Sequence, residues 1–449
     1  MQKGKFQILL LIFTFAITAS ALAEMKNYTL DKAIEEAMKN NYDIKVAQMN
    51  VKKADAAVNE AFGNALPNVT FGTTYMRYLE PMSFLIPGSF IGKPQIPFVA
   101  MKMVQDNNLQ MQGQVSQILF NSLVFKAIGS SKDYSDISRE QLKSSFTKTV
   151  LDVKKAFYGA LMAKEFVEIV KTSTQKAEEN LSQAKAFFEE GFIPEYDIIR
   201  ADIAVQNLKP MLINAQSAYS NALNGLKFLI GGDINNDIEV SGILNADTSE
   251  AMPDENKIMK SVLDNNFELK TVDMLKRLSQ DMIDLRKSEF YPSVAVFSNY
   301  QYTMQSDDAS LSNKLKTWTA GINFSISLFN GLQSNARLEQ AQVDLINAEQ
   351  RFKQASEGIK FKTKSALLQF NQTKEVLLAQ ERGVSQSEKG YEIALIRYKE
   401  GMGSQMEIND ADIQLRQARL GRLQAIMNYL IAKAEIENLL STLDTKYEK

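Results

Sequence analysis

The chain repeats itself. Asn40-Asn41-Tyr42-Asp43-Ile44-Lys45 returns as Asn265-Asn266-Phe267-Glu268-Leu269-Lys270, and Leu66-Pro67-Asn68-Val69 returns as Tyr291-Pro292-Ser293-Val294, both at an offset of 225 residues. Leu119-Phe120-Asn121-Ser122-Leu123 returns as Leu328-Phe329-Asn330-Gly331-Leu332 at an offset of 209. Glu190-Gly191 with Ala201-Asp202-Ile203 returns as Glu400-Gly401 with Ala411-Asp412-Ile413 at 210. Landmarks kept in one order, with a single large change of offset, mark a duplicated structural unit. The expected organisation is two equivalent halves, 24–230 and 255–441, joined by a linker over 231–254 and followed by a tail at 442–449. The first half carries about 16 extra residues between Pro67 and Phe120.

Each half reads as a helix, two strands, a very long helix, a tight break and a last helix. The first helices are expected over about 30–65 and 255–290, stopped by Pro67 and Pro292. No proline falls between Pro97 and Pro194 or after Pro292, which leaves two uninterrupted tracts, 123–189 and 332–399. At 1.5 Å per residue each makes a helix of about 100 Å. Leu338, Ala341, Leu345, Ala348, Phe352, Ala355 and Ile359 alternate spacings of three and four, as do Phe146, Val150, Val153, Phe157 and Ala160. Such stripes mean side-by-side helix packing. The last helix of the first half starts at Pro194 and is expected to kink at Pro210.

The strands alternate with a period of two. Leu109, Met111, Val115 and Leu119 oppose Gln110, Gln112, Gln114 and Ser116; Trp318, Ala320, Ile322, Phe324, Ile326 and Leu328 oppose Thr319, Gly321, Asn323, Ser325 and Ser327. Segments 69–78 and 294–302 are weaker versions. About ten residues suffice to cross a bilayer when tilted, although a soluble sandwich strand has the same alternation. Four strands cannot close a barrel, and an open edge in lipid leaves backbone groups unpaired at several kcal/mol each. Membrane-spanning strands would therefore require several chains to share one barrel. The segment 81–103, with Pro81, Pro87, Pro94 and Pro97, is expected to be a loop without regular strands that packs on itself or on neighbouring copies, with a lid over the pore mouth as the alternative.

The N-terminus and composition bound the function. Lys3 and Lys5 precede an apolar run over Phe6–Ile17, and Ala21-Leu22-Ala23 offers a signal-peptidase site, so residues 1–23 read as a signal peptide. The run is short for a membrane anchor. Glu24 rather than Cys follows the cut, leaving no thiol for an N-terminal lipid. With no cysteine and no histidine, the chain has no disulfide framework, Cys/His metal site or His-based triad. The 51 basic against 53 acidic residues give no cationic footprint for nucleic acid. No catalytic residue, metal site or cofactor is assigned.

Taken together, the duplicated unit, the strand pairs, Ser327-Leu328-Phe329-Asn330-Gly331 feeding a long helix, and the stretch Tyr398–Ile413 resemble the TolC family of outer-membrane efflux proteins. The resemblance covers essentially the whole mature chain. It implies a mainly α fold with a membrane β-barrel portion: a homotrimer whose twelve-stranded barrel continues into a long periplasmic α-helical barrel. It implies an exit duct for a tripartite efflux or type I secretion system, with a periplasmic adaptor, an inner-membrane efflux or ABC-type pump and outer-membrane lipid as partners. Cargo stays open. Glu407 and Asp410, three apart and so on one helix face, match the acidic positions that ring the closed aperture of relatives. Tyr398 and Asp197 match positions that tie the tip helices together, while Gly403 stands where a relative has Arg; Arg200 is the nearby basic residue offered in its place. Adaptor docking is expected on Gly191, Phe192, Ile193, Pro194, Gly401, Met402, Gly403 and Ser404. The alternative is a soluble periplasmic coiled-coil scaffold or adaptor.

Overall fold

The computed structural model describes residues 26–249 and 254–443; the expected signal peptide at 1–23, residues 250–253 of the linker and most of the tail lie outside the described residues. In chain order the elements are β1 (Lys26–Tyr28), α1 (Leu30–Asn40), α2 (Tyr42–Gly63), β2 (Asn68–Arg77), β3 (Ser83–Pro87), β4 (Phe98–Lys102), β5 (Asn107–Asn121), α3 (Ser122–Glu189), α4 (Glu195–Leu229), β6 (Ile238–Val240), α5 (Glu255–Asn265), α6 (Phe267–Lys287), β7 (Ser293–Ser306), β8 (Asn313–Ser325), α7 (Gln333–Lys399) and α8 (Gln405–Leu439). The two proline-free tracts are the single helices α3 and α7, of 68 and 67 residues. Helix α4 continues through Pro210. Two compact units divide the chain: one takes residues up to 50, 139–272 and from 353, the other 51–138 and 273–352.

The duplication extends to individual hydrogen bonds. The first helix of each half, expected in one piece, is instead broken at an asparagine. Asn41 Oδ1 accepts from the N–H groups of Asp43 and Ile44 at 2.9 and 3.2 Å, which starts α2, and its amide donates to the Leu229 carbonyl at 2.7 Å. Asn266 Oδ1 likewise accepts from the Leu269 N–H at 3.0 Å, and its amide donates to the Leu439 carbonyl at 3.1 Å. Asparagine caps a helix by accepting from these first amide groups, so the break stabilises the second segment as it ends the first. Leu229 and Leu439 are 210 residues apart, so one cross-link ties the same two elements in both halves.

In the first unit the stripe residues Val150, Val153, Phe157 and Ala160 are buried in a cluster with Leu226, Ile426 and Tyr429. The linker is not structureless. Its β6 pairs in parallel with β1, Tyr28 opposite Val240, and Val240 is fully buried. A three-residue strand is too short to show alternation in sequence.

The second unit holds an antiparallel sheet in the order β2-β5-β7-β8. Its register sorts whole rows by polarity. Phe71, Gly113, Tyr300 and Trp318 form one row, and Val69, Val115, Ser298 and Ala320 another, on the same face. Between them runs the row Thr70, Gln114, Asn299 and Thr319, and beyond Phe71 the row Gly72, Gln112, Gln301 and Thr317, both on the opposite face. Side chains alternate across a strand, so in-register strands give one predominantly apolar face and one built of Gln, Asn and Thr. Both edge strands, β2 and β8, are exposed along almost their whole length. Among the described residues no helix is long and apolar enough to cross a membrane.

Segment 81–103 corrects the expectation of a loop, because β3 and β4 pair as an antiparallel hairpin. Its prolines sit at the ends: Pro87 is the last residue of β3, Pro97 precedes β4, and Pro81 and Pro94 lie outside both strands. None removes a donor from the interior of the ladder.

Candidate functional site at the helix tips

Both long helices end in the same device. After α3, the Phe192 N–H donates to the Phe187 carbonyl and the Gly191 N–H to the Phe188 carbonyl, each at 2.9 Å; after α7, Met402 donates to Arg397 at 2.8 Å and Gly401 to Tyr398 at 3.0 Å. This pair of bonds needs a left-handed residue just past the helix, and Gly191 and Gly401 take φ values of 78° and 70°. The next helix follows at once, with Pro194 in extended conformation ahead of α4 and the Ser404 hydroxyl accepting from the Glu407 N–H at 3.3 Å to cap α8. Each tip is thus a short turn that closes the long helix, and at the second tip the start of the next helix is also capped by a side chain. Phe192 and Met402 stand exposed at the turns.

Behind the second turn, Tyr398 is buried with Tyr391, Ile408 and Leu415, and its ring lies 5.9 Å from that of Phe187 on α3. Its hydroxyl is buried without a hydrogen-bond partner. Burial, and secondarily the negative charge of Asp197, push that hydroxyl's pKa up. Tyr398 and Asp197 therefore come near one another without forming a hydrogen bond. Arg200 is engaged on its own helix, donating to the Tyr196 hydroxyl at 2.7 Å with its guanidinium over that ring. The basic residue beside Gly403 is instead Arg397, which donates to the Met402 carbonyl at 3.2 Å and sits 3.6 Å from Glu407. A Cβ at position 403 would meet the Tyr398 nitrogen at 3.1 Å and the Arg397 Cβ at 3.2 Å, so this turn is packed around glycine. Glu407 and Asp410 both lie exposed on α8.

Arg397, Gln405 and Asp412 were not legible as site residues from sequence. A cavity of about 170 Å³ lies among α3, α4 and α8, lined by Lys176, Asn180, Gln405, Asp412 and Arg416 among others. Gln405 is buried there with its carbonyl oxygen unpartnered. Asp412 accepts from Arg416 at 2.9 Å, yet burial raises its pKa against the opposing pull of Arg416, Lys176 and Arg419. A carboxyl with a higher pKa folded than unfolded contributes stability below the unfolded value and loses it as pH rises through the folded one. Relative to Asp412→Asn, the wild-type thermal midpoint is therefore expected to climb as pH falls from neutral toward about 4, the ordinary carboxylate range. A difference that stays constant across that range refutes this assignment.

The two helix tips are matched turns, and the sheet has one predominantly apolar and one polar face. Among the described residues no group of His, Cys, Asp or Glu could hold a metal ion. The chain matches the outer membrane efflux protein family over residues 33–232 and 258–442, one stretch for each half, and it belongs to that family of outer-membrane efflux channels. It is similar to the outer membrane protein TolC of Escherichia coli strain K12, with 19% identity over 443 residues covering 95% of this chain and 84% of the relative. Its fold is similar to that of CusC, with a TM-score of 0.74 and 16% identity over 92% of this chain and 91% of that one. The Campylobacter jejuni CmeC outer membrane channel gives a TM-score of 0.72 and 17% identity over 92% of this chain and 85% of its own. Family membership does not favour the soluble scaffold.

Proposed function

We propose that three copies of this chain form one conduit, with a shared twelve-stranded barrel in the outer membrane and a helical barrel across the periplasm. The observation that carries this reading is the four-stranded sheet with polarity sorted by row and two open edges. In lipid those edges need partners, and β8 of one copy against β2 of the next continues the antiparallel order. Two copies would give eight strands and a lumen filled by side chains, whereas three give twelve and leave room for passage. The apolar face then meets lipid, and the Gln/Asn/Thr face meets water.

At the helix tips, Glu407 and Asp410 of three copies line the narrowest opening, with Arg397 setting how much negative charge remains. The exposed turns Gly191–Pro194 and Gly401–Ser404 are the surface offered to a periplasmic adaptor, which couples the duct to an inner-membrane pump. The test is fractionation and mass. The protein is expected in the outer-membrane fraction, extracted by detergent at three times the mature chain mass and conducting ions in planar bilayers. A soluble monomer or dimer would overturn the reading.

A further inference from the structure

The β3–β4 hairpin has no counterpart in the second half, where only a short turn joins β7 to β8. It connects β2 to β5 at the end of the sheet away from the helices, and β2 is a sheet edge. Residues 81–103 include no acid and only two basic residues, Lys93 and Lys102. Lys102 is spent at the root, 2.8 Å from Asp106 and 3.5 Å from Asp307. Both faces of the hairpin are apolar: Phe84 and Met101 pair on one, Leu85 and Ala100 on the other. Phe90 stands 83% exposed near its far end.

The hairpin is built, not loose. Gly88 is buried where the chain doubles back, and a Cβ there would collide with the carbonyl oxygens of Lys93 and Ile96. A structure of this kind needs two things from its surroundings. Its apolar faces need apolar cover, and the bare backbone edges of a two-stranded ribbon need polar partners. Water supplies only the second. Hydrocarbon supplies only the first, at several kcal/mol for each unpaired backbone group. Another protein surface supplies both, and the β2 edge is where the next copy must sit.

We infer that the β3–β4 hairpins of neighbouring copies pack on one another across the outer mouth of the barrel, an interaction surface whose partner is a second copy of this chain. The inference rests on the trimer proposed above. Dimensions agree: each five-residue strand reaches about 17 Å. Twelve strands about 4.8 Å apart and tilted about 40° enclose a mouth about 12 Å in radius.

The chain has no cysteine, so a single introduced thiol reports without background. In purified trimers carrying Phe90→Cys, a short bismaleimide is expected to join two of the three chains and leave the third unpaired. About two-thirds of the protein should then run as dimer. Adding Gly88→Ala, which spoils the hairpin while leaving the sheet intact, should reduce the cross-linked share at least several-fold. Trimeric mass with an introduced thiol that reacts with maleimide yet never cross-links overturns the hairpin contact and leaves the trimer standing. Cross-linking unaffected by Gly88→Ala also overturns it, as would quenching by brominated lipid of a fluorophore attached to that thiol. Failure to find a trimer at all overturns both.

Discussion

Neutralising both acids of the second tip, as Glu407→Gln with Asp410→Asn, is expected to weaken block by multivalent cations by about tenfold or more and to reduce cation selectivity in planar bilayers. In the proposed trimer six carboxylates would share one narrow ring and attract cations through fields that add, and a tenfold change needs only about 1.4 kcal/mol. Arg397 sharpens the expectation. Its guanidinium lies 3.6 Å from Glu407, so each copy presents two acids and one base. Arg397→Ala should therefore shift block the opposite way, strengthening it. The pair is about half exposed on both sides, so its effect should fade as salt rises. Opposite signs from the two variants place all three residues at the aperture. Unchanged block in both removes them from it.

The second large effect concerns the body of the first unit. Tyr429 is 1% exposed, its ring lies 5.0 Å from Phe370, and its hydroxyl donates to the Asp247 carbonyl at 3.0 Å. Tyr429→Ala should cost about 3–5 kcal/mol, since removing a buried aromatic loses both its transfer energy and the packing around the void. Tyr429→Phe keeps the ring and should cost about 1 kcal/mol for the hydrogen bond alone. Thermal unfolding of detergent-extracted protein separates the two. Equal shifts would mean that the hydroxyl, not the ring, carries the contribution.

What sequence could show depended on the range of the signal. Helices α3 and α7 were visible to within a residue because their tracts contain no proline and carry long stripes. The strands were visible because alternation over ten residues has few other causes. Asn41 and Asn266 belonged to the landmarks that revealed the duplication, yet their role as helix breaks depends on the Leu229 and Leu439 carbonyls, far along the chain. The β3–β4 hairpin was not legible because four prolines in one segment argue against a strand unless they fall at its ends, as they do here. At the tips, the turns were legible from glycine. The pairing of Arg397 with Glu407 spans a reversal of direction that no local period encodes.

The matched turns also carry a consequence for symmetry. At the offset of 210, Glu407 corresponds to Asp197 and Asp410 to Arg200. In the proposed trimer, three copies of a twice-written chain would set six like-built tips around one axis, but these matched positions would alternate: two acids on one tip, an acid and a base on the next. In that assembly the backbone would repeat about every sixth of a turn and the electrostatics only every third. A partner that reads such tips by shape would meet six equivalent places to bind, whereas one that reads them by charge would meet three.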